Sequence, residues 1–247
     1  MSALLKITDD ASPLSIAGVS KSFAAHQVLN DISFSLNEGE IFGLIGLNGA
    51  GKTTLIKILL DLISADAGES SIFGCTTKHV EARKKLSYLP EKFIPSRYLY
   101  GFEYLSFALS YFGMSLDKEK AVLMAAALDL DPSVLDRKVG GYSKGMGQKL
   151  GLTGAFLVNQ PLMILDEPMS GLDPSARIKL KNVMLKSKSD GKTLFFSSHI
   201  LSDIDEICDR IGVIHDGKLL YVGSPSAFKP MYKEETLEKA FLRSINA

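Results

Sequence analysis

The segment from Ile41 to Ile63 limits this chain more than any other. A continuous apolar run, Ile41 to Ile45, leads into Gly46-Leu47-Asn48-Gly49-Ala50-Gly51-Lys52-Thr53, which fits the pattern G-x-x-x-x-G-K-[ST]. Thr54 to Ile63 follows with apolar residues at helical spacing: Leu55, Ile56, Leu59 and Ile63. Strand, glycine-rich loop and helix in that order curl backbone N–H groups around a helix N-terminus, where the helix's partial positive charge favours phosphate. Lys52 then reaches the β and γ phosphates, and Thr53 offers its hydroxyl to magnesium. The backbone from Gly46 through Leu47, Asn48, Gly49, Ala50 and Gly51 to Thr54 lines the rest. A glycine-rich strand-to-helix turn without a ligand is the plainer alternative. The flanking strand and helix argue against it.

A second apolar run, Leu162 to Leu165, ends in Asp166-Glu167-Pro168. Ligands of open α/β sheets bind at the carboxyl edge of the strands, so two adjacent carboxylates arrive where a phosphate loop would also sit. Successive strand side chains point opposite ways, which gives the pair different tasks. Asp166 holds magnesium through water, and Glu167 acts as general base at the γ phosphate.

The other runs extend this pattern. Leu14 to Val19 and Val28 to Leu36 read as strands of a small β layer. Lys84 to Asn159 reads as mostly helical, with helices expected at Phe102 to Phe112, Lys118 to Leu130 and Lys144 to Val158. Thr193 to Phe196 and Ile211 to Ile214 are short apolar runs between helical segments, and a hairpin turns at Asp216-Gly217. Together they predict an α/β fold: a mostly parallel core sheet flanked by helices on both faces, an antiparallel β subdomain and an inserted helical subdomain. The expected division is a single domain over residues 1–247. Its β subdomain and catalytic core fall in about 14–85 and 160–223, its helical subdomain in about 86–159, and a tail of short helices in 224–247.

Composition excludes other classes. Lysine plus arginine number 28 and aspartate plus glutamate 28, so the net charge is zero and nucleic acid is not an expected partner. No apolar stretch approaches the roughly 20 residues of a membrane span, and Met1 to Pro13 carries no leader-like apolar segment. Cys75 and Cys208 are far apart and lack metal-ligand spacing, as suits a reducing cytosol.

Four further segments narrow the class. Tyr142-Ser143-Lys144-Gly145-Met146, followed by Gln148-Lys149, resembles the LSGGQ signature of ABC ATPases, in the Lys-Gly-Met variant associated with ABC-2 type exporters. Ser170-Gly171-Leu172-Asp173 resembles the family's D-loop. Phe195-Phe196-Ser197-Ser198-His199 resembles its switch strand and H-loop histidine, and Phe23 stands where the family stacks an aromatic on adenine. The resemblance runs from about Leu14 to Gly223 and implies a P-loop NTPase of the ABC ATPase fold that uses ATP and Mg2+.

It further implies hydrolysis through Glu167, with Lys52 and His199 at the γ phosphate. Ser143 and Gly145 would contact ATP held by a second ABC ATPase subunit, identical or not, with Asp173 counted in the nucleotide site. Read alone, Ser143 is an ordinary N-cap, His199 a helix-entry or core histidine and Phe23 a packing residue. The implied role is an exporter's engine, cytoplasmic and held to the cytoplasmic face of the cell membrane by a multi-span permease. A soluble non-transport ABC ATPase and a regulatory nucleotide-binding module are the alternatives.

One departure stands out. The glutamine usual after the strand near Leu86 to Leu89 is replaced by Glu91, which the resemblance still places at nucleotide and magnesium. Aromatics crowd Phe93 to Phe112; Phe107 and Tyr111, at helical spacing, read as packing within the helical subdomain. The looser stretch Ile94 to Tyr104 is the expected groove for the permease.

Overall fold

The computed structural model describes residues 12–246, so most of the Met1 to Pro13 segment lies outside the described residues. Strands β1 (Ser15–Phe23), β2 (His26–Ser35) and β3 (Ile41–Ile45) precede α1 (Lys52–Leu59). Strands β4 (Ala67–Ile72) and β5 (Cys75–Thr76), α2 (Val80–Arg83) and β6 (Leu86–Leu89) follow. Next come α3 (Gly101–Ser110), α4 (Lys118–Ala127) and α5 (Lys144–Leu157). The chain continues through β7 (Leu162–Asp166), α6 (Pro174–Ser189), β8 (Thr193–Ser198) and α7 (Leu201–Ile207). It ends with β9 (Arg210–His215), β10 (Lys218–Gly223), α8 (Pro225–Met231) and α9 (Leu237–Ile245).

Two sheets result. One has the order β2-β1-β4-β5 and is antiparallel; the other runs β10-β9-β3-β8-β7-β6 and is parallel except for the β9–β10 hairpin. Because strand side chains alternate, the parallel sheet feeds two cores. Ile41, Ile45, Met163, Leu165, Leu194 and Phe196 join one. Phe42, Leu44, Leu162, Ile164 and Phe195 join the other.

The first core is covered by helices, including α8 and α9 through Phe228, Leu237, Ala240 and Phe241. The second is covered by α1 and by the antiparallel sheet, not by helices alone. Phe34 of β2 stacks on Phe42 with centroids 5.0 Å apart, and Phe42 meets Phe195 at 5.9 Å. That aromatic column fixes one sheet on the other.

Among the departures from the sequence expectation, three bear on how the units fit together. α1 stops at Leu59 instead of continuing to Ile63, because Asp61 turns into the left-handed region at φ 57°. The Asp61 and Leu62 N–H groups then bond back to the Ile58 and Lys57 carbonyls at 3.0 and 2.9 Å, closing the helix end. Leu86–Leu89 is a strand, as read from the sequence, and pairs with β7 as the edge of the core sheet, so the helical region starts after it and not at about residue 84 to 86. α5 serves both units, since Leu150 packs with the helical cluster around Leu105 and Leu135 while Leu152 and Phe156 enter the main core.

Candidate active site

The phosphate loop sits at the carboxyl end of β3, and its glycines are needed for space and for backbone angle. A Cβ on Gly51, at φ 104°, would lie 2.8 Å from the Val28 carbonyl oxygen, and one on Gly46 would lie 2.6 Å from that of Ile214. α1 starts at Lys52 without a side-chain cap and without an acidic residue in its first turn. Its leading N–H groups therefore face the loop.

Around this helix end lies a cavity of about 310 Å³, lined by Leu47, Asn48, Gly49, Gly51, Lys52, Thr53, Thr54, Glu91, Glu167, Ser170 and His199. The Lys52 ammonium donates to the Gly46 carbonyl at 2.8 Å and stands 3.5 Å from Glu167 Oε1. Thr53 Oγ1 donates to Asp166 Oδ2 at 3.0 Å.

Asp166 and Glu167 take different partners, although Glu167 lies beyond the strand and alternation does not set its direction. Asp166 is the last residue of β7, whereas Glu167 turns into the left-handed region at φ 50°. Glu167 Oε2 meets His199 Nδ1 at 2.7 Å, so one buried carboxylate touches both Lys52 and His199.

Ser197, which sequence reasoning treats only as part of a strand, joins the two acids. Its hydroxyl donates to Asp166 Oδ1 at 2.5 Å and accepts the Glu167 N–H at 2.9 Å. The β7–β8 register pairs Asp166 with Ser197, and the two serines that follow the apolar run Leu194 to Phe196 were the available signal. Ser170, another pocket residue, is visible in the sequence only as part of a motif. If the pocket hydrolyses a nucleotide, as the motifs lead one to expect, Ser197→Ala is expected to lower turnover about tenfold at unchanged nucleotide affinity, since supporting hydrogen bonds of this kind carry roughly 10- to 100-fold effects; steady-state kinetics beside nucleotide titration checks this.

Burial pushes the Asp166 carboxyl above its ordinary range, and Glu167 and Glu91 push the same way, against the hydrogen bonds from Ser197 and Thr53. A cation beside Asp166 would favour the charged form. The pairing of one hydroxyl with one carboxylate fits magnesium, a hard ion that takes few protein oxygens and completes its shell with phosphate and water. Tyr88 feels the same field: burial first, then Asp166 and Glu91, raise its phenol to about 12.

The remaining sequence candidates lie elsewhere on this chain. Phe23 is exposed, with the Lys21 ammonium 5.4 Å from its ring centroid, and does not line the cavity. Ser143 caps α5 by accepting the Met146 N–H at 3.2 Å, and Asp173 caps α6 by accepting that of Ala176 at 3.0 Å. Gly145 lies against the Gly171 carbonyl, so the two loops adjoin each other, and neither glycine lines the pocket. Gly46 and Ala50 shape the loop without lining the cavity.

A family model described as ABC transporter matches residues 29–170 of this chain, from β2 through the phosphate loop and the acidic strand end. The chain belongs to the ABC transporter family. An uncharacterized ABC transporter ATP-binding protein of Synechocystis sp. is 39% identical over 199 residues, which is 79% of this chain and 56% of that protein. The chain thus spans little more than half the length of that relative. The Nod factor export ATP-binding protein I of Rhizobium sp. (strain N33) is 36% identical over 220 residues, 87% of this chain and 71% of that one. Among solved structures, an ATP-binding subunit of an ABC transporter superposes with a TM-score of 0.87 at 30% identity, covering 94% of this chain and 99% of that chain. The ABC ATPase fold expected from the motifs is the fold observed.

A second concavity, of about 380 Å³, lies beside β6 and α3 and is lined by Phe93, Tyr104, Phe107, Tyr111, Phe112 and Gly151, among others. Phe107 and Tyr111 are 52% and 74% exposed and meet edge to face at 5.0 Å, so they are not the internal packing residues expected from their spacing. α3 turns that face outward, leaving Leu105 and Leu109 to fill the helical core position and Gly101 to approach Leu135.

Proposed function

We propose that this chain binds ATP with magnesium at the phosphate loop and hydrolyses it to drive a separate membrane-spanning permease. The observation that carries this reading is one pocket in which Thr53 meets Asp166 and Glu167 meets both Lys52 and His199. Thr53 and Asp166, with Glu91 at the pocket wall, would hold magnesium, which when bound offsets the charge of the phosphates. Lys52 and the first N–H groups of α1 hold the β and γ phosphates in place. Glu167 takes a proton from water at the γ phosphate, and His199 aligns the carboxylate through its ring nitrogen. Phe23 stacks on the base.

Ser143 and Gly145 act on ATP held by a second cassette. The Ser143 oxygen accepts an N–H of its own helix, which leaves its O–H to donate to a phosphate across the interface. Asp173 lies in the adjoining loop and belongs to the same interface. ATP then joins two subunits, and hydrolysis releases them. Among the described residues no helix is long and apolar enough to cross a membrane. The permease holds the chain at the cytoplasmic face of the membrane, the place that the family resemblance implies. The export relative and the ABC-2-like signature support an ABC-2 type exporter.

The permease's docking site is the groove of Phe93, Tyr104, Phe107 and Tyr111. Phe107→Glu with Tyr111→Glu is expected to abolish co-purification of a multi-span membrane protein from gently solubilised membranes and to leave ATP turnover of the chain intact. Both side chains are exposed, so added charge disturbs docking more than folding. Retention of the membrane partner by this variant, with loss on introducing charge at Ile94 and Tyr98, would move the site to the looser stretch.

A further inference from the structure

Asp203 lies in the first turn of α7, four residues after His199, and is only 7% exposed. Its Oδ1 stands 3.2 Å from the Lys181 ammonium of α6, which also pairs with Glu206. Its Oδ2 is buried without a hydrogen-bond partner. A buried carboxylate oxygen that lacks a donor is unfavourable, so a nearby donor is drawn to it. The neighbouring cation is the Arg177 guanidinium, whose Nη1 stands 4.0 Å away, about 1 Å beyond hydrogen-bond reach.

Arg177 is already engaged on its other side. Its Nε donates to the Leu172 carbonyl at 3.3 Å, within the loop Ser170 to Asp173 that connects Glu167 to α6. Ser170 of that loop lines the catalytic pocket. The guanidinium is a rigid planar fork, so its Nε and Nη1 refer two chain segments to one another. One segment follows Glu167 and the other follows His199, the two groups whose contact at 2.7 Å aligns the proposed base.

We propose that Arg177 and Asp203 are positioning residues that lock the loop after Glu167 to the helix after His199, closing as a direct Nη1 to Oδ2 hydrogen bond when the nucleotide site is engaged. This inference deepens the ATPase reading and rests on it. Lys181 has a different part, tying α6 to α7 by neutralising Oδ1 and Glu206 whatever the state of the pocket.

The test uses the full chain and measures kcat, ATP affinity and melting temperature in Arg177→Met, Arg177→Lys, Asp203→Asn, the Arg177→Met/Asp203→Asn double variant and Lys181→Met. Small misplacements of catalytic groups carry large rate effects, so kcat is expected to fall about 10- to 100-fold in each single variant of the pair. ATP affinity is expected to stay within about twofold, and the double variant to be no slower than the slower single, because the two residues act as one unit. Arg177→Lys keeps the charge but cannot span both acceptors, so it is expected to recover the melting temperature without recovering kcat. Lys181→Met is expected to lower the melting temperature and spare kcat.

Parental kcat in folded Arg177→Met and Asp203→Asn, multiplicative losses in the double variant, or kcat restored together with stability in Arg177→Lys would each overturn the lock. Absence of turnover in the parent itself would instead remove the ATPase reading, and this inference with it.

Discussion

Glu167→Gln is expected to abolish turnover while ATP still binds. The substitution keeps the shape of a side chain that is 6% exposed and removes its charge and basicity. Positioned general bases contribute about 10²- to 10⁴-fold, and a loss of about 10³ corresponds to roughly 4 kcal/mol of barrier. Affinity should not fall with it. Lys52 lies 3.5 Å from the Glu167 carboxylate, and removing that negative charge leaves the ammonium freer for phosphate. The expected result is a protein that holds ATP, has lost its steady-state turnover and accumulates in an ATP-dependent dimer on a sizing column. Turnover within about tenfold of the parent would reject Glu167 as the base, and a module that never hydrolyses ATP would show no difference between the two proteins.

Much of this site was legible in the chain because its parts are local. The loop Gly46 to Thr53 is contiguous, and the geometry it needs is a buried strand before it and a helix after it. Both are announced by the apolar pattern, the first by the run Ile41 to Ile45 and the second by the spacing of Leu55, Ile56 and Leu59. The acidic strand end is equally local. What was not legible depends on which strands lie side by side. Ser197 matters only because β8 lies against β7 in the register that sets it opposite Asp166.

The same holds for Arg177 and Asp203, which are remote in sequence and meet only where α6 packs near α7. Helical spacing at Phe107 and Tyr111 was real, but periodicity gives a stripe without saying whether core or solvent receives it. Leu105 and Leu109 took the core on that helix, and the aromatics were left for a partner. The stop of α1 at Leu59 is hidden in the sequence because it rests on a non-glycine left-handed residue, Asp61, where glycine would have been the visible signal.

Lys52→Met is expected to weaken ATP binding about 100-fold, and the thermal response to ATP gives the cleanest reading. The Lys52 side chain is 6% exposed, and its ammonium is held by the Gly46 carbonyl at 2.8 Å inside the loop. A charge-assisted hydrogen bond contributes about 1.5–3 kcal/mol, so a net loss of one such bond from this ammonium to phosphate should weaken binding about 100-fold. At an ATP concentration about 100 times the parental Kd, ligand linkage stabilises the parent by about 2.7 kcal/mol. In a chain of this size that raises the melting temperature by roughly 5–10 °C. The variant at the same concentration sits near its own Kd, where linkage gives only about 0.4 kcal/mol and a shift of about 1 °C. Each protein is compared with itself, with and without ATP, so any change that methionine makes to the unliganded fold cancels. A variant that kept the parental shift would show that ATP is held without this ammonium, and the triphosphate would have to be placed outside the loop at the end of β3.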